Sequence, residues 1–230
     1  VKEVIILAGG LGTRLQPVLP DVPKCMAPIN GTPFISYLIN YLKEQGIEKF
    51  IFALGFKAEL VKAYLEQSHA DLNFVCSIEP KPLGTGGALK LAATLTTEED
   101  VLVVNGDTFF KVNVKLLSKF HTIKNAACTV ALQYMKNFDR YGAVEVNEKG
   151  CITAFKEKQP YASGFVNAGN YMLHIPSFLM EELGEVFSFE NDYLEKNIGN
   201  NTLFGMEQDA YFIDIGIPED FEKAQKEIQA

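Results

Sequence analysis

Gly9, Gly10 and Gly12 interrupt the β-branched run Val4, Ile5, Ile6 and Leu7, and are followed by Thr13, Arg14 and, further on, Lys24. Glycine lets backbone approach a ligand closely and adopt positive φ, so that consecutive N–H groups face an anion. Arg14 adds a bidentate fork for phosphate and Lys24 a compact point charge. Strand, glycine loop and two cations together make a phosphate cradle. A Walker A loop is excluded, since no Lys directly follows the glycines, and the dinucleotide fingerprint lacks its third glycine.

A second glycine-rich stretch, Glu79-Pro80-Lys81-Pro82-Leu83-Gly84-Thr85-Gly86-Gly87-Ala88, is a stiff, proline-bounded approach to a turn that opens a helix. Free N–H groups at such a helix start are expected to point into a cleft. The Glu79 carboxylate could accept from guanine N1–H and N2–H together, or be a solvated loop residue. A third stretch, Val103-Val104-Asn105-Gly106-Asp107, is a buried strand that ends by presenting a carboxylate. Ligands of open α/β sheets bind at such carboxyl ends.

These segments need a scaffold, and the pattern around them supplies one. Phe34–Glu44 carries apolar residues at helical spacing, and Gly46 closes it. Strands at Lys49–Leu54, Asn73–Ile78 and Val101–Val104 alternate with helices at Ala58–Leu65 and Gly86–Leu95, which predicts a doubly wound, mainly parallel sheet. From Cys128 the pattern becomes strands without helices between them: Cys128–Gln133, Ala143–Val146, Ile152–Lys156 and Tyr171–His174. Short helices are expected at Ser177–Leu183 and Asn191–Asn197, then a strand at Tyr211–Ile213 and a terminal helix at Glu219–Ile228. With no linker or repeat, all 230 residues read as one α/β domain of Rossmann-like type, with a mixed sheet. Residues 1–125 are expected to be mainly a nucleotide-binding half and residues 126–230 mainly a half for the second substrate.

Composition narrows the function. A formal charge of −8 and the lack of a basic tract argue against nucleic acid as partner. No apolar run is long enough to span a bilayer, and the chain starts directly in a strand, so neither membrane nor secretion is expected. Cys25, Cys76, Cys128 and Cys151 are scattered, which suits reduced thiols in a cytoplasm. His69, His121 and His174 read as surface or satisfied polar residues. Apolar strands such as Cys128–Tyr134, if exposed, permit a homodimer without requiring one.

The run from Leu7 to Arg14, with Pro17, Pro23-Lys24 and Pro28, resembles the signature of sugar-1-phosphate nucleotidyltransferases. The resemblance extends through Glu79–Ala88 and Asn105–Asp107. It continues in the strand Phe155-Lys156-Glu157-Lys158, the turn Gly164–Gly169 completed by Tyr171, and Phe212–Asp220, and so covers nearly the whole chain. It implies the nucleotide-diphospho-sugar transferase fold and transfer of a nucleoside monophosphate from a triphosphate to a sugar 1-phosphate. Leu7, Ala8, Gly9, Gly10, Gly12, Thr13, Glu79, Gly84, Thr85, Gly86 and Gly106 would hold the nucleotide. Gly142, Glu157, Asn167 and Gly169 would hold the sugar, and Lys158 its phosphate. Asp107 and Asp214 would bind Mg²⁺, while Arg14 and Lys24 neutralise the triphosphate and the departing pyrophosphate. Three departures, Cys25 for Pro, Gln16-Pro17-Val18 for R-P-L and Phe212 for Trp, remove none of the charged catalytic groups.

Within that family the segments look closest to the short bacterial D-glycero-α-D-manno-heptose 1-phosphate guanylyltransferases, which use GTP and make GDP-heptose for surface polysaccharide. Mannose-1-phosphate guanylyltransferases, uridylyltransferases and cytidylyltransferases share the skeleton and stay open as alternatives. So does a non-catalytic nucleotide-sugar sensor, although it would have little reason to retain both carboxylates.

Overall fold

The computed structural model describes residues 1–10, 12, 15 and 18–228. In chain order its first half comprises β1 (Glu3–Leu7), the small hairpin β2 (Pro28–Ile29) and β3 (Thr32–Pro33), α1 (Phe34–Glu44), β4 (Lys49–Leu54), α2 (Ala58–Ser68), β5 (Phe74–Ile78), α3 (Gly84–Ala93), β6 (Asp100–Asn105), β7 (Thr108–Phe110) and α4 (Val114–Lys124). The second half adds β8 (Cys128–Phe138), β9 (Gly142–Val146), β10 (Ile152–Lys158), β11 (Tyr161–His174), α5 (Ile175–Leu179), β12 (Leu203–Glu207), β13 (Phe212–Asp214) and α6 (Pro218–Glu227).

The β-branched runs β1, β4 and β6 are buried on both faces, as strands covered by helices on either side must be. With β5 they form a parallel block in the order β5-β4-β1-β6, in which Ile5 pairs with Ile51 on one side and Val103 on the other. Alternation along β1 splits the core. Val4 and Ile6 pack with residues of α1, α2, α4 and α6, whereas Ile5 packs with α3 and α5. The sheet is therefore wound on both faces, and the α/β class read from the sequence is the observed one.

Beyond β6 the sheet turns antiparallel. β11 pairs with β6 through Asn170–His174, and its other half extends outward between β8 and β9, with β10 outside β9 and β12 outside β8. The turn expected at Gly164–Gly169 is thus part of a 14-residue strand. Its register with β8 slips between Asn167 and Tyr171, a bulge that re-aims the Asn167 and Gly169 segment. Cys128–Leu132 is buried between β11 and β12, with Tyr134 exposed, so most of the strand read as a dimer surface is interior.

Besides the short strands β2, β3 and β7, two longer elements escaped the sequence reading. The first, α4, leaves Leu116 and Ile123 exposed, which blurs its apolar stripe. The second, β12, carries Gly205 at its centre, because a Cβ there would press into Leu132 and Val146. The short helices also shift. α5 starts at Ile175 because the His174 side chain caps it, accepting from Ser177 N–H at 3.4 Å. Around Asn191 the chain makes a π-type turn, Phe189–Leu194, capped by Ser188, and then a 3₁₀ turn, Glu195–Asn197.

Two histidines are enclosed in this scaffold. His121 is 2% exposed, with Nδ1 2.9 Å from Thr129 Oγ1, and His69 Nε2 lies 3.0 Å from Ser36 Oγ. Burial pushes both rings below the usual histidine range; for His69 the Lys43 charge adds to it, and for His121 the Asp100 carboxylate opposes it. The unfolded chain takes up protons near pH 6.5 that the fold refuses, so their contribution is complete above that pH and declines as pH falls below it. The melting temperature is expected to drop between about pH 7 and 5. That slope should be shallower in His121→Gln, as followed by thermal unfolding; an unchanged slope would remove His121 from the account.

Candidate active site

The carboxyl ends of β1, β4 and β6 open into a cavity of about 670 Å³. Backbone bonds lace its rim: Ala8 N–H donates to Ala53 O at 2.9 Å, Phe56 N–H to Gly9 O at 3.1 Å and Gly106 N–H to Leu7 O at 2.8 Å. Such lacing requires close approach, and a Cβ at Gly106 would lie 2.9 Å from Leu7 O. Leu7, Ala8, Gly9, Gly10, Gly12, Lys24, Glu79, Gly84, Thr85, Gly106 and Asp107 all line this cavity, with Ala53, Gly55, Phe56, Lys81, Asn105 and Glu190 among the other walls. Thr13 and Arg14 lie outside the described residues.

Lys24 is aimed by the short turn Lys24–Met26 and by Gly12, whose φ of +63° and missing Cβ leave room for the lysine stem. Its Nζ reaches Asp107 Oδ2 at 3.0 Å, with side-chain exposures of 15% and 30%. Asp107 follows β6 directly. The antiparallel ribbon of β7 and β13 then sets Asp214 opposite Thr108, with Ile215 N–H donating to Asp107 O at 3.0 Å. Two carboxylates a hundred residues apart thereby meet at one ribbon end. Gly216 N–H holds Asp214 Oδ1 at 2.7 Å, and a Cβ on Gly216 would come within 3.4 Å of Lys24 Nζ.

Burial and, next, the charge of Asp107 push the Asp214 carboxyl above its ordinary range; Gly216 N–H, Lys24 and Arg140 pull the other way. Excess negative charge at a shielded spot is what a hard cation relieves. No group of three or more His, Cys, Asp or Glu converges among the described residues. Two carboxylates suit Mg²⁺, which keeps waters and shares its shell with phosphate oxygens. The donor set therefore fits that ion. Cys25, beside Lys24, is no nucleophile: burial and the nearby Asp107 charge push its thiol to about 12.

On the Asp214 side lies a second, smaller cavity of about 190 Å³, lined by Asn137, Arg140, Tyr141, Phe212, Asp214, Asp220 and Lys223 among others. Arg140 Nη1 pairs with Asp220 Oδ2 at 2.6 Å, fastening the β8–β9 connection to α6. Gly142 follows Tyr141 and pairs with Lys158 across β9 and β10. Its hydrogen faces Lys156 O, where no side chain could fit. Glu157 and Lys158 are exposed and line neither cavity. Asn167 Nδ2 donates to Tyr171 Oη at 2.9 Å, and its Oδ1 accepts from Gly169 N–H at 2.9 Å. Gly169, at φ +69°, faces Asn105, which ties that bulged segment of β11 to the wall of the large cavity.

Two expectations change, and one open alternative closes. The N–H groups of Gly86 and Gly87 do not point into the cavity, because both donate to Phe187 O, at 3.0 and 3.4 Å. The Phe187 ring covers Gly86, which does not line the cavity. Glu79 is no solvated loop residue. Its Oε2 accepts from Leu83 N–H at 2.7 Å, and its Oε1 fills the space that side chains at Gly9 and Gly55 would occupy. Gly55, Asn105, Arg140 and Glu190 were not singled out from the sequence. Gly55 had a signal, a glycine directly after a buried strand, whereas Glu190 had none, being 105 positions from the Thr85 that it meets.

Residues 3–230 match the family model described as nucleotidyl transferase. The chain is 46% identical to the D-glycero-alpha-D-manno-heptose 1-phosphate guanylyltransferase of Aneurinibacillus thermoaerophilus, over 99% of this chain and 98% of that one. It is 42% identical to the same-named protein of Campylobacter jejuni subsp. jejuni serotype O:2, over 95% and 96%. The crystal structure of HddC from Yersinia pseudotuberculosis superposes over all of both chains with a TM-score of 0.89 at 33% identity, as does its complex with GMP-PN.

Proposed function

The chain belongs to the nucleotidyl transferase family, and from that premise we propose that it transfers GMP from GTP to D-glycero-α-D-manno-heptose 1-phosphate, releasing pyrophosphate. The observation that carries the reading is that a nucleotide-sized cavity and a smaller one adjoin at the Lys24–Asp107–Asp214 cluster. The heptose guanylyltransferases at 46% and 42% identity support the choice of base and sugar.

A sugar 1-phosphate has a second pKa near 6 and is largely dianionic at neutral pH, so it attacks without a general base. What the reaction needs is alignment on the α-phosphorus and relief of repulsion between two polyanions. The glycine loop and the ends of β1, β4 and β6 position the triphosphate, and Lys24, with Arg14, screens its charge and that of the departing pyrophosphate. Asp107 and Asp214 would hold Mg²⁺, which supplies charge neutralisation between α-phosphate and nucleophile when bound. Lys158, on its flexible stem, brings the attacking phosphate, while Gly142, Glu157, Asn167 and Gly169 present the sugar. The tightly fixed Arg140–Asp220 pair keeps the smaller cavity rigid.

The test is Mg²⁺-dependent pyrophosphate release, crossing GTP, UTP, dTTP, CTP and ATP with heptose, mannose and glucose 1-phosphates. Turnover with GTP and the manno-heptose phosphate alone is the expected result. Turnover with UTP or a hexose phosphate instead would overturn the substrate assignment and leave the reaction class. Silence throughout would overturn the enzyme reading in favour of a nucleotide-sugar sensor.

A further inference from the structure

Glu190 enters the large cavity from the π-type turn at Phe189–Leu194, far in sequence from the glycine loops. Its Oε2 accepts from Thr85 Oγ1 at 2.8 Å and from Ser188 Oγ at 3.2 Å. The Thr85 hydroxyl is itself fixed, since it accepts from Phe189 N–H at 2.9 Å. The carboxylate is thus held in one orientation before any ligand arrives. Its second oxygen, Oε1, has no hydrogen-bond partner among the described residues.

A carboxylate accepts only, and it repels phosphate oxygens, so the matching part of an occupant is an N–H or O–H donor away from the triphosphate. Thr85 lies in the Glu79–Ala88 segment, on the same wall of the cavity as Gly84. Glu79, the carboxylate of that segment, is already committed to Leu83 N–H and to the gap between Gly9 and Gly55. Among the bases, guanine carries the 2-amino group, a donor absent from adenine, uracil and thymine at that edge. Resting on the guanylyl reading above, we propose that Glu190 determines base specificity by accepting from the 2-amino group of guanine.

The experiment compares kcat/KM for GTP and for ITP, which lacks only that amino group, in the wild-type protein, Glu190→Gln and Glu190→Ala. The wild type is expected to favour GTP by about tenfold or more, the range of one hydrogen bond to a charged group. Glu190→Ala should bring the ratio to within about threefold of unity by losing GTP turnover while keeping that with ITP. Glu190→Gln, which retains a neutral acceptor, should fall between, and it carries the test alone if the alanine variant fails to fold. Equal losses with both nucleotides would mean that Glu190 only braces the turn or reads the ribose, and would overturn the proposal. A wild-type protein indifferent to the 2-amino group would overturn it too. Failure of the guanylyl reading itself is distinguishable, because wild-type protein would then prefer another base outright.

Discussion

Lys24→Met is expected to lower kcat by about 10²-fold or more, a loss of some 2.7 kcal/mol in transition-state stabilisation, with a smaller change in KM for the nucleotide. The lysine head is placed by three independent features: the turn at Lys24–Met26, the missing side chain of Gly12 and the 3.0 Å pair with Asp107. At 15% exposure its charge is only partly screened by solvent, so it acts more strongly than a surface lysine. Negative charge builds on the bridging and departing oxygens as the α-phosphorus bond breaks, and a preplaced cation counts most at that moment. A uniform binding contact would instead raise KM and spare kcat. Methionine keeps the stem against Gly12 and removes only the charge. The same substitution should lower the melting temperature of metal-free protein, since Asp107 and Asp214 would then adjoin without their lysine. Steady-state pyrophosphate release and thermal unfolding check the two halves; kcat within a few-fold of wild type would strip Lys24 of its catalytic role.

The parts of this site that a reader of the sequence finds are those fixed by local chemistry. Gly9, Gly10 and Gly12 announce close backbone approach wherever the chain goes afterwards, and Val101–Val104 running into Asp107 announces a carboxylate at a strand end. The parts that stay hidden depend on partners distant in sequence. That Asp214 joins Asp107 is decided by β7 and β13 pairing in a ribbon, which no spacing encodes. Phe187 consumes the N–H groups of Gly86 and Gly87, so a helix start that looks like an anion site is already occupied. Glu190 and Glu79 differ in the same way: both are ordinary glutamates in sequence, and only their hydroxyl, amide and glycine neighbours tell them apart. In the second half, β11 hides its length because Gly164 and Gly169 read as a turn, while the ladder from β8 and β9 holds them extended. Strand pairing there overrides local preference.

Asp214→Asn should cost about as much rate as Lys24→Met yet move stability the opposite way. In the fold the Asp214 carboxyl is pushed above its ordinary range by burial and by Asp107, so the folded chain holds that proton more tightly than the unfolded one. Stability then falls as pH rises from the unfolded carboxylate value, near 3.9, through the raised folded value, and stays lower above it. An ionised Asp214 works against that bias in the metal-free protein. Asparagine is nearly isosteric and its Oδ1 can still accept from Gly216 N–H, so the substitution removes the charge and keeps the bond. In the presence of a chelator, the variant should melt above wild type at pH 7, and the gap should close as pH approaches the ordinary carboxylate range. Added Mg²⁺ should stabilise wild type more than the variant, because only the wild type offers two carboxylates to the ion. A variant that melts at or below wild type at pH 7, or a gap that widens in acid, would mean that Asp214 is held by its neighbours rather than strained by them. Its place in the site would then rest on structure alone. The expected result would instead identify Asp214 as a group whose charge is costly to the fold and retained for the reaction, since a merely structural position would have no use for it.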